Sequence, residues 1–494
     1  MNQRVVVVTG GGNGIGAAVA TELKRQGWYV VTVDPMLSLD GSSKETAPAA
    51  TSGDRAFDLS VTDAAGVQAL FASLAEELGA LDAVINVAGI SRPTSFTAGS
   101  EVDWRAVLDV HLNGYCSVLA AALPLMEAAG HGRILGVTSG SGWRFGDAGA
   151  YGCAKRAVAA LTWQLGACAP DGVVVNAMSP IAVTRMVTAA LERAGRGGAQ
   201  GANAGPLFGT MPQPEEIGPL GAFLVSDEFD WCTGEIIFAG GSEAAVVEAP
   251  RLLEVIPADA LAMAGAALIK AEASQLSGGG SNPRAFDAVG DASSEVASCA
   301  VVCDRPGVGD AIAAAMQERG VACVPVASRD ELGDVDALVV ALAGPAPSAS
   351  ATWDGVLAEH DGLADALFTD AMWARAAADA ARPMRVVTIT DAVTSGGFSR
   401  AQAAAQHGRP ARKTTQDRVA AFAVSDEGAL PEQLGAFASW LLCAPGTVEL
   451  SGAELVAGPG WYGVRSHPRA GTSIVLGGAV VPDWFNGALQ DVIR

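Results

Sequence analysis

The chain has 494 residues, of which 50% are hydrophobic and 17% are charged, and its formal net charge is −22. This composition predicts a globular protein of about two to four domains and excludes a disordered chain. The negative charge argues against nucleic acid or an anionic membrane surface as a partner. No apolar run reaches the roughly 18 residues of a transmembrane helix, so no membrane association is expected.

The N-terminus and the cysteine pattern both predict a cytoplasmic protein. Residues 1–4 lead directly into a valine-rich strand, which leaves no room for a signal peptide. The eight cysteines are spread thinly without a C-x-x-C pair, and the closest two in sequence, Cys299 and Cys303, have no histidine nearby. We therefore predict free thiols in a reducing compartment and no bound metal.

A glycine-rich turn lies between the first predicted strand and the first predicted helix. Residues 5–8 (VVVV) form the apolar run of a strand that is buried on both faces, the segment 9–16 (TGGGNGIG) follows, and a helical pattern covers 17–26. Glycines let the backbone approach a pyrophosphate, and the helix N-terminus offers free N–H groups and a positive dipole. This order predicts a dinucleotide site.

Asp34 follows the second predicted strand, residues 29–33, about 20 residues beyond the glycine turn. A carboxylate there is placed to accept hydrogen bonds from an adenosine ribose and would repel a 2′-phosphate. No arginine or lysine occurs between Val30 and Lys44 to bind such a phosphate. The sequence therefore favours NAD over NADP.

Helical and strand patterns alternate along the rest of the first half. A polar loop is predicted over residues 38–53, and regular secondary structure is predicted again from residues 56–60. The Gly/Ala-rich segment 181–213 is typical of a flexible lid. The predicted elements are helix 62–79, strand 81–85, helix 101–129, strand 133–137, helix 150–168, strand 173–177, helix 215–225 and strand 235–238. This alternation predicts a doubly wound parallel sheet.

Among the four tyrosines, Tyr151 alone has a lysine four residues later, Lys155. On a helix this spacing places the phenol and the ammonium on the same face. A nearby positive charge favours the phenolate and would lower the pKa of Tyr151 from its usual value. A tyrosine in this setting can exchange a proton with a carbonyl or alcohol oxygen.

Residues 1–246 resemble the short-chain dehydrogenase/reductase family. The resemblance is carried by several motifs in the family's order: the turn 9–16, Asp58, the segment 86–89 (NVAG), Asn113, Ser139 and the Tyr151/Lys155 pair. It implies a Rossmann-like fold and an oxidoreductase that uses a nicotinamide cofactor.

The resemblance implies a role for each motif residue. Tyr151 would be the general acid/base, Lys155 would lower its pKa and hold the nicotinamide ribose, and Ser139 would bind the reacting oxygen. Asn113 would hold a water in a proton relay. The residues expected to bind the cofactor are Gly10, Asn13, Gly14, Ile15, Gly16, Asp34, Asp58, Leu59, Asn86, Ala88, Gly89, Tyr151, Lys155, Pro180, Ile181, Val183 and Thr184.

The substrate pocket is predicted less directly, from side chains near the predicted catalytic residues. The residues expected to line it are Ser141, Trp143, Arg144 and Met186. Trp143 indicates a partly apolar substrate. Arg144 either meets a carboxylate or phosphate or points to solvent.

Two positions depart from the family pattern. In the family, the usual spacing between the active-site serine and the tyrosine would place the serine at position 138, which is Thr138 here. Residues 139–142 (SGSG) nevertheless keep the family's S-x-x-G motif, so we favour Ser139 over Thr138. The family's Pro-Gly pair is Pro180-Ile181 here. The surrounding segment is similar to that of relatives that oxidise 3-hydroxyacyl thioesters.

The second half repeats the first in a reduced form. Residues 300–309 parallel the glycine turn, 336–344 parallel 82–89, 385–390 parallel 133–138 and 451–458 parallel 233–240. The counterparts of the predicted catalytic residues are Asp391 for Ser139, Ala403 for Tyr151 and His407 for Lys155. Asp304 and Pro306 also spoil the phosphate turn. We therefore predict a second, truncated doubly wound sheet without catalytic activity.

The predicted domains are a catalytic NAD-binding domain (1–246), a helical linker (247–298), a non-catalytic domain (299–465) and a C-terminal tail (466–494). Family members pair through helices equivalent to 101–129 and 150–168, and the second half offers helices 351–381 and 399–423 to them. We expect an intramolecular pseudo-dimer and, from two chains, a four-domain homodimer. The tail either reaches over a neighbouring active site or covers exposed sheet.

Three functions are compatible with the sequence. The favoured one is an NAD(H)-dependent oxidoreductase that interconverts a secondary alcohol and a ketone, with hydroxyacyl thioesters among the candidate substrates. The alternatives are an NADPH-dependent 3-oxoacyl thioester reductase and, in another class, a non-catalytic dinucleotide sensor or scaffold.

Overall fold

The computed structural model describes residues 3–35, 53–193, 211–275, 296–380 and 382–493. Most of the predicted polar loop 38–53, the predicted lid from residue 194 to 210 and the glycine-rich part of the predicted linker lie outside these residues.

The first half forms an alternating series of strands and helices. Its elements are β1 (Val5–Thr9), α1 (Gly14–Arg25), β2 (Tyr29–Val33), β3 (Arg55–Phe57), α2 (Ala64–Leu78), β4 (Ala83–Asn86), α3 (Glu101–Leu108), α4 (Gly114–Ala129), β5 (Gly132–Val137), α5 (Gly149–Cys168), β6 (Val173–Pro180), α6 (Arg185–Arg193), α7 (Gly218–Phe223), β7 (Ile236–Ala239) and β8 (Glu243–Glu248). A π-helical turn, Asp109–Asn113, joins α3 to α4.

Within the described residues, seven parallel strands form the body of the first sheet, in the order β3-β2-β1-β4-β5-β6-β7. Successive valines of β1 supply two cores, since Val6 and Val8 pack on one face of the sheet and Val5 and Val7 on the other. The strand order reverses between β1 and β4. The carboxyl ends of these two strands therefore border the crevice in which ligands of such folds bind.

The second half forms a similar series. Its elements are β9 (Leu252–Pro257), α8 (Leu261–Ala273), β10 (Ser298–Cys303), α9 (Val308–Gln317), β11 (Ala322–Pro325), β12 (Ala337–Ala341), α10 (Trp353–Glu359), α11 (Leu363–Asp379), β13 (Met384–Asp391), α12 (Ser395–Gly408), α13 (Ala411–Thr414), β14 (Val419–Asp426), α14 (Pro431–Cys443), β15 (Glu454–Gly458), β16 (Trp461–Arg465), β17 (Arg469–Val475) and α15 (Phe485–Ile493).

The parallel strands of the second sheet run in the order β11-β10-β12-β13-β14-β15. This is the order of the first sheet, and within the described residues it contains no strand equivalent to β3. The predicted fold class, α/β with two doubly wound parallel sheets of which the second is truncated, is confirmed.

Two edge strands are exchanged between the halves. β9 follows β8 in the chain, yet it pairs with β16 at the edge of the second sheet. β17 follows β16, yet it pairs with β8 at the edge of the first sheet. The segment predicted as a linker and the segment predicted as a tail therefore each complete the sheet of the opposite half.

The halves also pack through the helices that the sequence pointed to, because α5 and α12 lie against each other and their apolar faces merge into one core. That core joins Trp104, Leu108 and Ala154 of the first half to Phe368 and Ala403 of the second. The prediction of one helix over 399–423 is wrong. The chain leaves the helix at Gly408, and the fully buried run Val419–Asp426 forms β14.

One described helical stretch, Glu101–Ala129, is long and apolar enough to cross a membrane, contrary to the expectation from apolar runs. However, 61% of its most apolar window is buried inside the protein, and core helices of water-soluble proteins pass the same test.

Candidate active site

A cleft of about 270 Å³ opens at the carboxyl edge of the first sheet. It contains three of the four predicted catalytic residues and most of the predicted cofactor residues. Those lining it are Gly10, Asn13, Gly14, Ile15, Asp34, Leu59, Ala88, Gly89, Ser139, Tyr151, Lys155, Pro180 and Thr184.

Two positions of the glycine turn, Gly10 and Gly16, leave no room for a side chain. Gly10 has a φ of +66°, and a Cβ there would lie 2.7 Å from the Ala88 nitrogen. A Cβ on Gly16 would lie 2.2 Å from the Gly10 carbonyl oxygen. Helix α1 begins at Gly14 and points its N-terminus into the cleft, so its free N–H groups and dipole favour a bound phosphate.

Asp34 is fixed against this turn. The Gly12 N–H donates to its Oδ2 at 3.0 Å, and the backbone N–H of Asp34 donates to the Phe57 carbonyl. The carboxylate thus lines the cleft at the end of β2 and beside the turn. This is where an adenosine ribose is expected to lie.

Lys155 is 4% exposed, and its Nζ donates to the Val137 carbonyl at 2.6 Å. Its ammonium lies 5.8 Å from the centroid of the Tyr151 ring. Helix α5 therefore places the two groups together, as the spacing predicts. Burial lowers the pKa of Lys155 to about 7, because a charged amine loses hydration in this site.

The pKa of Tyr151 is raised, whereas the sequence led us to expect that Lys155 would lower it. Burial of the phenol is the main cause, and a hydrogen bond with Ser139 acts in the opposite direction without outweighing it. Desolvation thus exceeds any effect of Lys155 in the protein alone. The phenol is a hydrogen-bond donor over the neutral pH range.

The structure also shows which of the two neighbouring hydroxyls, that of Ser139 or that of Thr138, lies beside Tyr151. The Thr138 hydroxyl is buried and donates to the Lys155 carbonyl at 2.6 Å, which ties β5 to helix α5. The Ser139 hydroxyl accepts from the Ser141 N–H at 3.2 Å and hydrogen-bonds to Tyr151. The hydroxyl beside Tyr151 is therefore that of Ser139, which supports the choice made from the S-x-x-G motif.

Asn113 does not reach the cleft, so its predicted role needs correction. Its side chain is exposed, and its amide donates to Asp109 at 3.1 Å. The side chain at the expected place is that of His111, which is 2% exposed and lines the cleft. Its ring meets the ring of Tyr151 edge to face, with the centroids 5.0 Å apart.

His111 is held by the backbone of Ile90. Its Nε2 lies 2.8 Å from the Ile90 carbonyl oxygen and 3.2 Å from the Ile90 nitrogen, and its Nδ1 is buried without a partner in the described part of the chain. A Cβ on Gly89 would lie 2.3 Å from the imidazole, so this glycine makes room for the ring. Burial and the charge of Lys155 lower the pKa of His111 to about 3.

Helical periodicity could have identified His111. The buried positions Trp104, Leu108, His111 and Tyr115 recur at the spacing of one helix face, and position 113 lies off that face. The other cleft residues that the sequence did not indicate are Val33, Pro35, Ser60, Val61, Val87, Ile90, Val110, Val137, Ala182, Arg185 and Val187. Most are apolar residues that give no chemical signal.

Two of the predicted substrate residues belong to the interface between the halves. Trp143 is 4% exposed and donates from Nε1 to the Ser179 hydroxyl at 2.9 Å. Arg144 lies over the rings of Trp143 and Phe238, so it neither lines the cleft nor points to solvent.

The cause is contact between the loop after β5 and the second half. Gln406 donates to the carbonyls of Ser141 and Arg144, and Arg409 donates to the carbonyl of Trp143. These bonds hold the loop after β5 against helix α12. Of the predicted substrate residues only Met186 lines the cleft, and the guanidinium-bearing residue there is Arg185.

Five predicted cofactor residues have other positions. Gly16 permits close packing inside the turn, and the side-chain Oδ1 of Asn86 accepts from the Thr9 hydroxyl at 2.7 Å, which joins the ends of β1 and β4. Asp58 is exposed just after β3 and does not line the cleft. Ile181 and Val183 donate backbone N–H groups to the carbonyls of Ala239 and Pro212.

The corresponding edge of the second sheet is closed by polar contacts. Arg305 pairs with Asp426, and the Asp304 carboxylate accepts from the Ala343 N–H at 2.6 Å. Arg400 forms a buried bidentate pair with Asp370 and also donates to the Ala343 carbonyl. Among the residues that the structure describes, no group of three or more His, Cys, Asp or Glu side chains is arranged to hold a metal in either half.

Comparison with known proteins identifies relatives of the first half. A family model described as "Enoyl-(Acyl carrier protein) reductase" matches residues 10–241. The short-chain reductase protein NovJ of Streptomyces niveus is 35% identical over 48% of this chain and 93% of its own length. The cis-4-hydroxycyclohexanecarboxylate dehydrogenase of Sinomonas cyclohexanicum is 36% identical over 49% of this chain and 98% of its own.

An acetoacetyl-CoA reductase of Allochromatium vinosum is 33% identical over 47% of this chain and 94% of its own length. Among solved structures, the aldohexose dehydrogenase of Thermoplasma acidophilum is 25% identical, with a TM-score of 0.42 over 49% of this chain and 93% of its own. Through its first half, the chain belongs to the short-chain dehydrogenase/reductase family, whose oxidoreductases use a nicotinamide dinucleotide, NAD or NADP.

Proposed function

We propose that the first half is an NAD(H)-dependent oxidoreductase that interconverts a secondary alcohol and a ketone. The observation that carries the proposal is the meeting of Tyr151, Ser139 and Lys155 in one cleft beside the glycine turn. A chain that only sensed a dinucleotide would not need these three side chains together. The second half, with alanine at the tyrosine position, illustrates what their loss looks like.

The residues of the cleft fit a nicotinamide dinucleotide. The turn at Gly10 and the N-terminus of α1 would hold the pyrophosphate, and Asp34 would hold the adenosine ribose. When bound, the cofactor supplies or accepts the hydride. Asp34 supports NAD, because its carboxylate would repel the 2′-phosphate of NADP.

The protein's own groups handle the oxygen of the substrate. In reduction, Tyr151 donates its phenolic proton to the carbonyl oxygen while the Ser139 hydroxyl donates a hydrogen bond to the same atom. The Lys155 ammonium stabilises the phenolate that forms. In oxidation the phenolate takes the proton back from the alcohol.

His111 is a positioning residue in this proposal. Its imidazole is neutral at working pH, is anchored on Ile90 and supports one edge of the Tyr151 ring. The apolar walls formed by Ile90, Val110 and Met186 support a partly apolar substrate. This agrees with relatives named for a hydroxycyclohexanecarboxylate and for acetoacetyl-CoA.

A second candidate is an NADPH-dependent 3-oxoacyl thioester reductase, which the acetoacetyl-CoA reductase among the relatives favours. A spectrophotometric screen separates the candidates. Cyclic and acyclic secondary alcohols and 3-hydroxyacyl thioesters are offered with NAD and with NADP, and the corresponding ketones with NADH and NADPH. We expect turnover of a secondary alcohol with NAD; turnover of 3-oxoacyl thioesters alone, with NADPH, would support the second candidate.

We further propose that the second half is a non-catalytic copy of the first. His407, at the place of Lys155, lies between the rings of Phe96 and Trp104 of the first half. It is therefore part of the interface between the halves. Calorimetric titration with NADH should give one site per chain, and two sites would contradict the proposal.

Two chains would then assemble into a cytoplasmic homodimer with four domains and two active sites. The intramolecular packing of α5 against α12 supports this, since the resemblance implies that family members pair through helices equivalent to 101–129 and 150–168. Light scattering measures the native mass; a monomeric mass at working concentration would exclude the dimer.

A further inference from the structure

Three thiols of the second half lie together, although the sequence separates them widely. Cys299 on β10 and Cys323 on β11 are direct partners in the parallel register. Cys443 ends helix α14, and all three side chains pack into the same apolar core. Cys303, the nearest cysteine in sequence, lies about 13 Å along the strand from Cys299 because a strand rises about 3.3 Å per residue.

Cys299 and Cys323 are close enough to react with each other. Neighbouring strands lie about 4.8 Å apart, within the Cα separation of roughly 4.4–6.8 Å that a disulfide spans. Direct partners on parallel strands also project to the same face, and both side chains pack against the same apolar core.

The two thiols differ in exposure and acidity. Cys299 is fully buried, whereas Cys323 is partly exposed on the edge strand, beside Val324, whose exposure is 49%. The interaction between the two neighbouring thiols lowers the pKa of Cys323 and raises that of Cys299, and burial raises the pKa of Cys299 further. The more nucleophilic sulfur is therefore also the one that solvent can reach.

We propose that Cys299 and Cys323 form a redox-active dithiol that a hydroperoxide converts into a disulfide. The Cys323 thiolate attacks the peroxide oxygen, the O–O bond breaks, and an alcohol or water leaves as Cys323 becomes a sulfenic acid. The Cys299 sulfur then attacks the Cys323 sulfur, the S–O bond breaks, and water leaves with the Cys299 proton. Two thiols and one hydroperoxide thus give one disulfide, one alcohol and one water.

Cys443 is the competing partner within the cluster. Burial is the main cause that raises the pKa of its thiol, so it stays protonated and is a poor nucleophile. It also sits at the end of a helix and not in register with Cys323 on a neighbouring strand. The disulfide is therefore expected between the two strands, and Cys443 remains reduced.

The test uses the full-length protein, treated with one equivalent of hydrogen peroxide, blocked with iodoacetamide and digested with trypsin. Arg284 and Arg319 bound a peptide that holds both Cys299 and Cys303, and Cys323 and Cys443 fall in separate peptides. We expect the first peptide linked to that of Cys323, with a mass lower by two hydrogens than the sum. A small dithiol should release the link.

Matched variants assign the bond. Cys303→Ser and Cys443→Ser should both retain the link, and Cys299→Ser should instead accumulate a sulfenic acid on Cys323 that dimedone traps. The proposal is overturned if wild type joins Cys323 to Cys443, or if all its thiols still react with iodoacetamide after peroxide. A Cys299→Ser protein that fails to fold leaves the wild-type peptide map as the deciding measurement.

Discussion

An imidazole and a phenol meet edge to face at the centre of the cleft, and the imidazole belongs to His111, which no sequence motif indicated. The family pattern leads to an asparagine in this region, and Asn113 is the asparagine that the sequence offers. The helix face selects His111 instead, since its ring points inward with Trp104 and Leu108. A motif gives the residue type that is expected, but the helical period decides which position faces the site.

Substituting His111 tests its positioning role. His111→Phe keeps an aromatic edge against Tyr151 but loses the hydrogen bond to Ile90, so we expect turnover to fall by about tenfold or more while NADH affinity changes little. His111→Asn should recover part of the loss because its amide can reach the same carbonyl. Steady-state kinetics measures turnover, and fluorescence titration measures the affinity for NADH. An equal loss of affinity and turnover would indicate a structural role of His111.

The imidazole of His111 should also not contribute to the pH dependence of kcat/KM. With a pKa of about 3 it carries no charge at neutral pH, so no limb near pH 6.5 should depend on His111. The pH dependence of kcat/KM for wild type and His111→Asn should therefore have the same apparent pKa values. A limb that disappears in the variant would contradict this.

Lys155 makes stability depend on pH. Its pKa is about 7 in the folded protein and 10.5 when unperturbed, so between these values the unfolded chain binds a proton that the folded protein lacks. Stability of the cofactor-free protein therefore rises with pH across this window and is lowest, for this group, below pH 7.

The variant Lys155→Met removes this dependence. The free energy of unfolding of the variant minus that of wild type should be larger at pH 7 than at pH 10, by up to a few kcal/mol. Urea unfolding at both pH values gives the difference, and Lys24→Met, at a lysine whose side chain is 42% exposed, is the control. If the variant and wild type differ in free energy of unfolding by the same amount at both pH values, burial of Lys155 does not make stability depend on pH.

At the scale of elements, the exchanged strands β9 and β17 are what the sequence did not predict. The central parallel strands of both halves can be recognised as apolar runs, because they are buried on both faces. β9 is largely exposed, and the pairing of β17 with β8 is a contact between distant parts of the chain. No local pattern specifies such pairings, so the two segments looked like a linker and a tail.

The C-terminal helix α15 covers the first half, which answers the question left open for the tail. Phe485 and Leu489 are fully buried against Phe223 and its neighbours, and the rings of Phe485 and Phe223 lie 5.3 Å apart. Trp484, the adjacent aromatic residue, is 53% exposed.

Adjacent aromatic residues give a matched pair of variants for this helix. Phe485→Ala should lower the free energy of unfolding by about 3–5 kcal/mol, because it leaves a cavity in the core of the first half. Trp484→Ala should change it by less than about 1 kcal/mol. Urea unfolding followed by circular dichroism measures both, and similar effects of the two would refute the placement of α15.

At the scale of the whole molecule, a buried ion pair joins the halves. Arg156 on α5 is fully buried and donates to Glu454 of β15 at 2.6 Å, and His467 lies 3.2 Å from the same carboxylate. Burial alone would raise the pKa of Glu454, but the neighbouring Arg156 and His467 outweigh it and lower the pKa. Acid should therefore weaken the interface, since stability is lost as Glu454 is protonated.

Removing either Arg156 or Glu454 should cost about 3–5 kcal/mol, because it leaves the other buried charge without its main partner. Arg156→Met together with Glu454→Gln should recover much of that loss. The pair Arg105–Asp365 is the control: it also joins the halves, but its side chains are 54% and 76% exposed, so Asp365→Asn should have an effect below about 1 kcal/mol. If the losses of unfolding free energy simply add in the Arg156→Met, Glu454→Gln variant, Arg156 and Glu454 are not a coupled pair.

The sequence could predict the architecture of both halves and the facing helices, since those follow from buried apolar runs and from repeated motifs. It could not predict that the loop after β5 is drawn to the second half, which removes Trp143 and Arg144 from the cleft. That outcome depends on Gln406 and Arg409, which are more than 250 residues away in the chain. Contacts between halves decide the shape of the substrate pocket.

The central claim is that Tyr151 transfers the proton in an oxidoreductase reaction of the first half. Tyr151→Phe removes the phenolic hydroxyl and keeps the ring. With a substrate from the screen and saturating NAD, we predict a fall in kcat of at least about a hundredfold with NADH affinity unchanged, while the buried control Tyr115→Phe keeps its activity. A Tyr151→Phe enzyme that turns over within about tenfold of wild type would contradict the account.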